Sequence, residues 1–398
     1  MESLPKEGVA METVSILLIT SSYLPIVGGS EIEAQRVSRA LIGRGHRVQI
    51  LCPGGPPMPA LSRWTDDCGI PVRAFGGSVP ARIRGHVFAL RVAWTLLADL
   101  RRYDLIYFLM PGLQVALGTL AARLLGKPFM MKFSGSNEIR RLKNSRVGRV
   151  QLRFLDMWAS AIMVLNPGMM VEAAECGLRA SKLLWMPNPV DIEEFCPLVP
   201  DARSALRTRL GIAEESEVVL FVGRLAPEKE LASLVKGFAK LAALRPQAML
   251  VLVGDGPCRE EIQSIAGKLA DEGRIRFTGA VPSSAVHQWV QIADVFALVS
   301  SLEGLPVSLI EAMATGLAVV VSDIPANRQL VDHGVEGMVV ETRNEDAIGS
   351  ALESILSDGE TRWRMGTAAR LRIGASFSTG RVVGMYETLF AKILGNVR

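Results

Sequence analysis

Cysteine and histidine are scarce in this chain, and the few that are present show no pairing pattern. The five cysteines among the 398 residues include no C-x-x-C pair, which argues against a disulfide framework and a thiolate zinc site. The four histidines have no metal-pair spacing. We therefore expect no bound metal, and a protein kept in a reducing cytosol.

Several catalytic motifs are also missing. The chain contains no Asp-x-Asp, no G-x-x-x-x-G-K-[ST], no H-E-x-x-H and no G-x-S-x-G. The G-x-G at Gly254 lacks the third glycine of a dinucleotide fingerprint. These absences argue against a P-loop ATPase, a serine hydrolase and a nicotinamide oxidoreductase.

Long apolar runs are few. The run at residues 14–19 is too short for a secretory signal. Residues 105–122 are 18 residues without a charge, the threshold length for a membrane-spanning helix. Because Pro111 and Gly112 interrupt this stretch, we interpret it as a strand followed by a helix.

Charge is unevenly distributed along the chain. The 44 basic and 40 acidic residues give a net charge of +4. Up to residue 190 there are 23 basic and 13 acidic residues, and beyond it 21 and 27, which makes +10 and −6. The first half thus favours an anionic partner, whereas the near-neutral total and the lack of an aromatic-rich basic motif argue against nucleic-acid binding.

Short apolar runs alternate with helix-length segments. Runs such as VSILLIT and DLIYFLM in the first half, and EVVLFVGRL and DVFALVSS in the second, are typical of buried parallel strands. This rhythm predicts an α/β fold of two doubly wound domains. Four prolines within residues 186–200 predict a linker between them. We place the domains at residues 1–190 and 191–375, with a closing helical segment at 376–398 able to pack back on the first domain.

The loop after FVG is the first candidate site, because ligands of open parallel sheets bind beyond the carboxyl ends of the strands. It contains Arg224 and Lys229. A guanidinium offers a bidentate fork to phosphate oxygens and an ammonium adds a movable point charge, so the pair suits a leaving diphosphate. A solvated loop of charged residues is the alternative.

The loop after DVFALVSS is the second candidate. It leads through Glu303 into a helix with Pro306 at its first position, and the N–H groups of residues 304–308 would form an anion site. With helical geometry throughout, Glu303 and Glu311 would lie roughly 12 Å apart, too far for a paired acid and base but suited to gripping separate hydroxyls. The alternative makes Glu303 a charge favoured by the helix dipole and Glu311 an exposed helix residue.

Two glycine-containing turns are weaker candidates. Gly254 allows a close approach of backbone to a ligand, and Gly28 with Gly29 opens a helix after the first strand, where an anion could bind. An ordinary tight turn is the alternative for Gly28 and Gly29. All three glycines are therefore candidates for ligand contact.

Taken together, these segments resemble a known family. FVGRLAPEK, VGDGP, ADVFALVSSLEGLPVSLIEAMATGLAVVVSD and PNPVDIEEF are similar to segments of the retaining glycosyltransferases of family 4. The resemblance covers nearly the whole chain and includes the Gly-Gly loop and the spacing of Glu303 and Glu311. It implies the GT-B fold, in which two Rossmann-like domains face each other across a cleft and the second holds a nucleotide-sugar donor.

The resemblance also implies a role for each matching residue. Arg224 and Lys229 would bind the diphosphate, and Glu303 the hydroxyls of the transferred sugar. Glu311 would bind the ribose, and backbone near Val281 would contact the base. Backbone of four further residues would support the sugar and phosphates: Gly304, Leu305, Pro306 and Val307. It further implies retention, with a phosphate oxygen taking the acceptor proton, and no metal or cofactor.

The chain departs from the family in one place. Many relatives carry a histidine after the strand that matches KPFMMKF, where this chain has Ser134, Gly135 and Ser136. We take Ser134 as a candidate for holding a sugar or acceptor hydroxyl; a structural turn serine is the alternative. Two other functions stay open: a sugar-nucleotide epimerase on the same fold, and a nucleotide-sugar-binding protein with altered catalysis.

The sequence therefore predicts a metal-independent retaining glycosyltransferase of the cytoplasm, monomeric to dimeric, which uses a UDP- or GDP-linked hexose. Its acceptor would be a glycan, a lipid-linked group or a small molecule, in polysaccharide or glycolipid synthesis. Residues 123–153 contain nine Lys or Arg and a single acid, Glu138. This segment indicates contact with an anionic membrane or a lipid-linked phosphate, each cation contributing about 1 kcal/mol. A solvated helix face is the alternative.

Overall fold

The computed structural model describes residues 12–24, 28–55, 61–76 and 79–395. Residues 25–27, which precede the turn at Gly28 and Gly29, lie outside the described residues. The chain divides into two compact units. Unit 1 is Met1–Pro187 with Gly380–Arg398, and unit 2 is Asn188–Thr379, against sequence-based boundaries at 190 and 375.

Unit 1 is built on one sheet, to which the described residues contribute eight strands in the order β3-β4-β2-β1-β5-β6-β7-β8. All neighbours are parallel except β3, which runs antiparallel to β4. β1 and β5 are buried along their whole length, as expected for strands with both faces covered by helices. The strands are β1 (Ser15–Thr20), β2 (Arg47–Pro53), β3 (Leu61–Thr65), β4 (Pro71–Phe75), β5 (Leu105–Leu109), β6 (Phe129–Lys132), β7 (Ala161–Val164) and β8 (Leu183–Trp185).

Helices connect these strands, and local sequence signals start two of them. The Ser145 hydroxyl accepts the Gly148 N–H at 2.9 Å before α5. The Asn166 side chain accepts the Met169 N–H at 2.8 Å before α6, which has Pro167 in its first turn. The helices are α1 (Gly29–Gly43), α2 (Ala81–Asp99), α3 (Leu113–Leu124), α4 (Glu138–Lys143), α5 (Arg146–Trp158) and α6 (Pro167–Glu175).

Unit 2, in which every residue is described, repeats the architecture. Its six strands are all parallel, in the order β11-β10-β9-β12-β13-β14, so the order in which successive strands are added to the sheet reverses between β9 and β12. Ligands of such sheets bind where the strand order reverses. The strands are β9 (Glu217–Val222), β10 (Ala248–Val253), β11 (Ile275–Gly279), β12 (Val295–Leu298), β13 (Ala318–Ser322) and β14 (Gly337–Val340). The helices are α7 (Pro200–Leu210), α8 (Leu231–Leu244), α9 (Arg259–Asp271), α10 (Val286–Gln291), α11 (Val307–Ala314), α12 (Pro325–Arg328), α13 (Glu345–Ser357) and α14 (Gly359–Phe377).

The last helix, α15 (Thr379–Gly395), returns to unit 1. Its Tyr386 and Phe390 are fully buried in a cluster with Val37 of α1. The Tyr386 and Tyr107 hydroxyls share a hydrogen bond of 2.9 Å. The closing segment of the chain is thus part of the core of the first unit.

The predicted α/β class and the two doubly wound domains are confirmed. Residues 105–122 form β5 and α3, with the interruption at Pro111 and Gly112, as the sequence predicts. In the described ranges no helix is both long and apolar enough to cross a bilayer.

Four strands were not predicted: β3, β4, β8 and β14. β3 alternates half-buried and exposed residues at a sheet edge, so it lacks the continuous apolar run of a central strand. β8 has three residues, and β14 begins with a glycine. Such short or partly polar segments become strands because a neighbouring strand offers hydrogen-bond partners. A single sequence does not show which strands will be neighbours.

The packing of α15 predicts a large loss of stability in Phe390→Ala. Truncating this fully buried ring, which also lies edge-on to His46, leaves a cavity worth about 3–5 kcal/mol of the free energy of unfolding. Urea unfolding followed by circular dichroism measures the loss. Trp363→Ala is the control, since Trp363 is 71% exposed on α14. An unchanged midpoint for Phe390→Ala would show that α15 does not pack into unit 1.

Candidate functional site

In unit 2, the loops after β9 and β10 are joined by backbone hydrogen bonds. The Leu225 N–H donates to the Asp255 carbonyl at 2.9 Å, and the Cys258 N–H donates to the Leu225 carbonyl at 2.9 Å. A Cβ on Gly254 would overlap the Gly223 carbonyl oxygen, and the φ of Gly254 is +134°. The close contact between these two loops is therefore a structural reason for glycine at position 254, where the sequence predicted an approach to a donor.

The loop after β12 joins the same cluster. The Ser301 N–H donates to the Glu228 carbonyl at 2.9 Å, which holds this loop against the one after β9. Across that junction, Lys229 Nζ donates to Glu303 Oε1 at 2.5 Å, and the Ser300 hydroxyl donates to the same oxygen at 2.7 Å. The side chains of Lys229 and Glu303 are 17% and 9% exposed. The structure thus brings these two predicted site residues into direct contact.

Arg224 lies on the same loop but is 67% exposed. Its guanidinium pairs with Glu228 Oε1 at 2.8 Å. Burial raises the pKa of Glu228, but hydrogen bonds from its own backbone N–H and from Arg224 outweigh burial and hold the pKa below its usual value. Each predicted phosphate-binding cation therefore has a carboxylate partner, and an arriving phosphate has to compete with it.

Helix α11 begins one residue later than predicted. Pro306 is the N-cap and Val307 is the first helical residue, with the Ile310 N–H donating to the Pro306 carbonyl at 3.2 Å. The prediction that Pro306 is the first helical position was wrong, because its extended φ and ψ of −73° and 108° place it just outside the helix. No side-chain hydrogen bond caps this end, so the N–H groups of the first turn have no capping side chain.

The other backbone candidates lie around this helix start. Gly304 and Val307 are half-buried, while the side chains of Leu305 and Pro306 are buried. Val281 lies beyond β11 and is half-buried, and the Gly279 carbonyl of that strand accepts the Gly254 N–H at 3.0 Å.

Glu311 is buried on α11, with 4% of its surface exposed. The alternative that it is an exposed helix residue is therefore wrong. The estimated separation of Glu303 and Glu311 assumed a helix from Glu303 onward, and that assumption fails because the helix starts at Val307.

Three residues that the sequence reading missed support the loop after β12. The Ser322 hydroxyl donates to the Ser300 carbonyl, and the Asn327 side-chain amide donates to the Ser322 carbonyl at 3.0 Å. All three residues are completely buried. Ser300 lies two residues after β12 and Ser322 is the last residue of β13, so the rule that pointed to Glu303 would also have found them.

In unit 1, Gly28 is the N-cap of α1 and Gly29 is its first residue. A Cβ on Gly28 would lie 2.6 Å from Glu31 Oε2. Glu31 is buried and accepts a hydrogen bond from the Ser22 hydroxyl. The start of this helix thus already holds a carboxylate of the protein itself, which weakens the expectation of an anion site at Gly28 and Gly29.

Ser134 is half-buried, two residues after β6. Its backbone N–H donates to Glu138 Oε2 at 3.1 Å, so a local turn fixes its position. Burial raises the pKa of Glu138, although the Gly135 and Ser134 N–H groups lower it in part.

A buried ion pair next to this turn also escaped the sequence reading. Lys132 at the end of β6 pairs with Glu33 of α1, both completely shielded from solvent. Burial raises the pKa of Glu33, and the nearby Lys132 charge offsets part of this rise. Burial lowers the pKa of Lys132, and the Glu33 charge offsets part of this fall. Lys132 Nζ also donates to the Pro187 carbonyl at 3.4 Å, the last residue of this part of unit 1. The pair thus joins α1, β6 and the end of the segment beyond β8.

No group of three or more His, Cys, Asp and Glu side chains suited to a metal ion occurs among the described residues. Residues 202–372 match the family described as glycosyl transferases group 1, and residues 28–189 match the glycosyl transferase 4-like domain.

Characterised relatives match along most of the chain. A GDP-mannose-dependent alpha-(1-6)-phosphatidylinositol monomannoside mannosyltransferase of Mycobacterium tuberculosis is 26% identical over 96% of this chain and 98% of its own length. The 2-deoxystreptamine glucosyltransferase of Streptomyces kanamyceticus is 27% identical over 92% of this chain and 100% of its own length.

Solved structures show the fold. The Anabaena protein HepE in complex with UDP-glucose superimposes with a TM-score of 0.76 at 21% identity, over 96% of this chain and all of that one. Sucrose-phosphate synthase from Thermosynechococcus elongatus also gives 0.76, at 18% identity, over 96% of this chain and all of that one. The predicted GT-B fold is confirmed, and the chain belongs to the family 4 type of glycosyltransferases.

Proposed function

We propose that this chain transfers a hexosyl unit from a nucleoside-diphosphate sugar to a hydroxyl group, with retention of configuration and without a metal ion. The observation that carries the proposal is the Lys229–Glu303 ion pair of 2.5 Å, beside Arg224 and the uncapped start of α11. Arg224 and Lys229 follow β9 and the start of α11 follows β12, the two strands between which the strand order of unit 2 reverses, and this location supports the proposal.

We assign the diphosphate to Arg224, Lys229 and the first-turn N–H groups of α11. When the bond between the anomeric carbon and the phosphate oxygen breaks, negative charge grows on the diphosphate. Fixed cations and helix N–H groups stabilise that charge more than the ground state, which lowers the barrier. This charge stabilisation takes the place of the divalent cation that neutralises a phosphate leaving group in other enzymes.

We assign the hydroxyls of the transferred sugar to Glu303. A diphosphate that takes over Lys229 leaves the Glu303 carboxylate to accept hydrogen bonds from the sugar, while Ser300 keeps it in place. Glu311 would hold the ribose, and backbone near Val281 the base. Backbone of residues 304–307 and the turn at Gly254 would support the sugar and phosphates.

The transfer reaction needs no external base to take up the acceptor proton. The acceptor oxygen bonds to the anomeric carbon on the face that the diphosphate leaves, and its proton passes to the departing phosphate oxygen. We assign Ser134 to binding a sugar or acceptor hydroxyl rather than to proton transfer. Gly28 and Gly29 would contribute backbone contacts, with the Glu31 carboxylate turning that site toward hydroxyl groups instead of anions.

The names of the relatives support this donor class and a range of acceptors. One relative uses GDP-mannose on a phosphatidylinositol mannoside, another glucosylates 2-deoxystreptamine, and HepE binds UDP-glucose. We therefore propose a UDP- or GDP-linked hexose as donor and a glycolipid, glycan or small polyol as acceptor, for a protein that works in the cytoplasm.

We also propose that the chain contacts an anionic membrane from its cytoplasmic side. Of the nine basic residues in the segment 123–153, Lys132 is buried against Glu33 and Lys127 donates to the Tyr103 carbonyl at 2.7 Å. Arg141, Arg146 and the other exposed arginines of the segment carry the attraction to anionic lipid.

Glu303→Gln is expected to reduce transfer by on the order of 10²-fold or more, because it removes the proposed sugar contact and leaves Lys229 without its anionic partner. Release of nucleoside diphosphate from UDP-glucose and GDP-mannose measures the loss, with circular dichroism confirming the fold. Glu345→Gln, the same change in the partly exposed Lys236–Glu345 pair, is the control and should keep full activity. Wild-type transfer by Glu303→Gln would contradict the assignment.

Arg224→Met and Lys229→Met are each expected to weaken donor binding about 10- to 100-fold, since each removes one charge-assisted hydrogen bond to phosphate. Calorimetric titration with UDP and with GDP separates this effect from catalysis. Lys236→Met, which removes an exposed lysine of α8, should bind as the wild type does. Equal affinities in all variants would place the diphosphate elsewhere.

In a reaction with excess EDTA, we expect product to form at an undiminished rate and with the anomeric configuration of the donor. The reason is that the protein supplies the cations itself and attack occurs on the leaving-group face. Proton NMR of the product gives the anomeric coupling constant. An inverted product would overturn retention, and activity restored only by added Mg²⁺ or Mn²⁺ would overturn metal independence.

A further inference from the structure

Helices α2, α3 and α5 form one layer on one face of the unit 1 sheet. α3 packs against both other helices. A Cβ on Gly118 of α3 would meet the Phe108 ring of β5 and, at 3.3 Å, Val92 of α2. α1 and α15 cover the opposite face, where Tyr107 contacts Tyr386. The three helices therefore have an inner side that packs on the sheet and an outer side that faces away from it.

That outer side is apolar. On α2, Leu90, Trp94 and Leu97 are 64%, 65% and 53% exposed, at spacings of four and three residues that place them on one helical face. The neighbouring helices carry exposed apolar side chains too. These are Leu120 and Leu124 on α3, and Val147, Val150 and Met157 on α5.

The charged residues of the same helices are almost all arginines. The exposed ones are Arg82, Arg91, Arg123, Arg146, Arg149 and Arg153. The three helices contain two acids, Asp99 and Asp156, and each is paired with an arginine of another element, Arg73 at 3.0 Å and Arg179 at 3.1 Å. The apolar face is therefore bordered by positive charge that its own acids do not neutralise.

We infer that the outer face of α2, α3 and α5 is a membrane-docking face whose leucines and Trp94 enter the interface of an anionic bilayer while the arginines contact lipid phosphates. Amphipathic faces of this composition bind in the plane of the interface, with tryptophan at headgroup depth. Arginine side chains extend along the apolar surface and keep their guanidinium groups at the phosphates.

A second copy of the chain suits this face less well. A self-complementary interface would bring the arginines of two copies together without matching acids, and like charges there oppose association. An anionic lipid surface supplies the missing negative charge. The inference rests on the membrane contact proposed above for residues 123–153, and it adds the apolar insertion and the contributions of α2 and α3.

Flotation of the full chain with vesicles tests the inference. We expect binding to phosphatidylcholine vesicles that contain phosphatidylglycerol and at least tenfold weaker binding to pure phosphatidylcholine. The triple variant Leu90→Ser, Trp94→Ser and Leu97→Ser should lose at least tenfold in binding to the anionic vesicles. The matched control Trp363→Ser with Leu371→Ser, at positions 71% and 70% exposed on α14, should bind as the wild type does.

Trp94 provides a direct readout of insertion. Brominated lipid should quench the fluorescence of bound wild type, and the quenching should fall in Trp94→Phe but not in Trp363→Phe. Titration of each variant with UDP and GDP keeps the test separate from donor binding, which should be unchanged.

The outcomes are distinct. If wild type ignores anionic vesicles, both the docking face and the membrane contact are wrong, while the glycosyltransferase proposal stands on its own assays. If the serine triple variant binds normally, the contact is electrostatic and the apolar face does not insert. If wild type is a dimer in solution and the triple variant a monomer, the face binds a second copy and the inference is overturned.

Discussion

The ion pair between Lys229 and Glu303 holds the candidate site of unit 2 together, because it joins two loops that the chain reaches 74 residues apart. Both side chains are largely buried, at 17% and 9% exposure. A partly buried pair keeps its geometry only when neighbouring groups satisfy the remaining hydrogen bonds, and Ser300 does so here. Removing one partner would leave the other charge in a poorly solvated place.

With this pairing, the proposed donor binding would be an exchange of ion-pair partners. With Arg224 held by Glu228 and Lys229 by Glu303, the site is close to neutral before a ligand arrives. In the proposed function, a diphosphate would replace the carboxylates as the partner of the cations, and the displaced carboxylates would become acceptors for hydroxyl groups. The affinity for phosphate and the affinity for sugar would thereby be coupled, which suits a ligand that contains both groups.

Unit 1 combines a buried charge with an exposed apolar surface, an inversion of the usual distribution. The Glu33–Lys132 pair is tolerated inside because the two charges satisfy each other and Lys132 also has the Pro187 carbonyl. The apolar residues of α2 and α5 remain outside because their inner faces already fill the space against the sheet. Both features depend on the sheet being covered on its two sides by different sets of helices.

The sequence alone determined the α/β class, the two repeats and most central strands, because buried parallel strands are continuous apolar runs and their order along the chain shows the alternation with helices. It also pointed to Arg224, Lys229 and Glu303, since strand ends in such sheets mark ligand sites. Only the tertiary structure decided that Lys229 pairs with Glu303, that Glu31 lies over Gly28, and that α15 belongs to unit 1. Contacts between residues far apart in the chain depend on how the elements pack, and no local pattern of residues records which side chain will meet which.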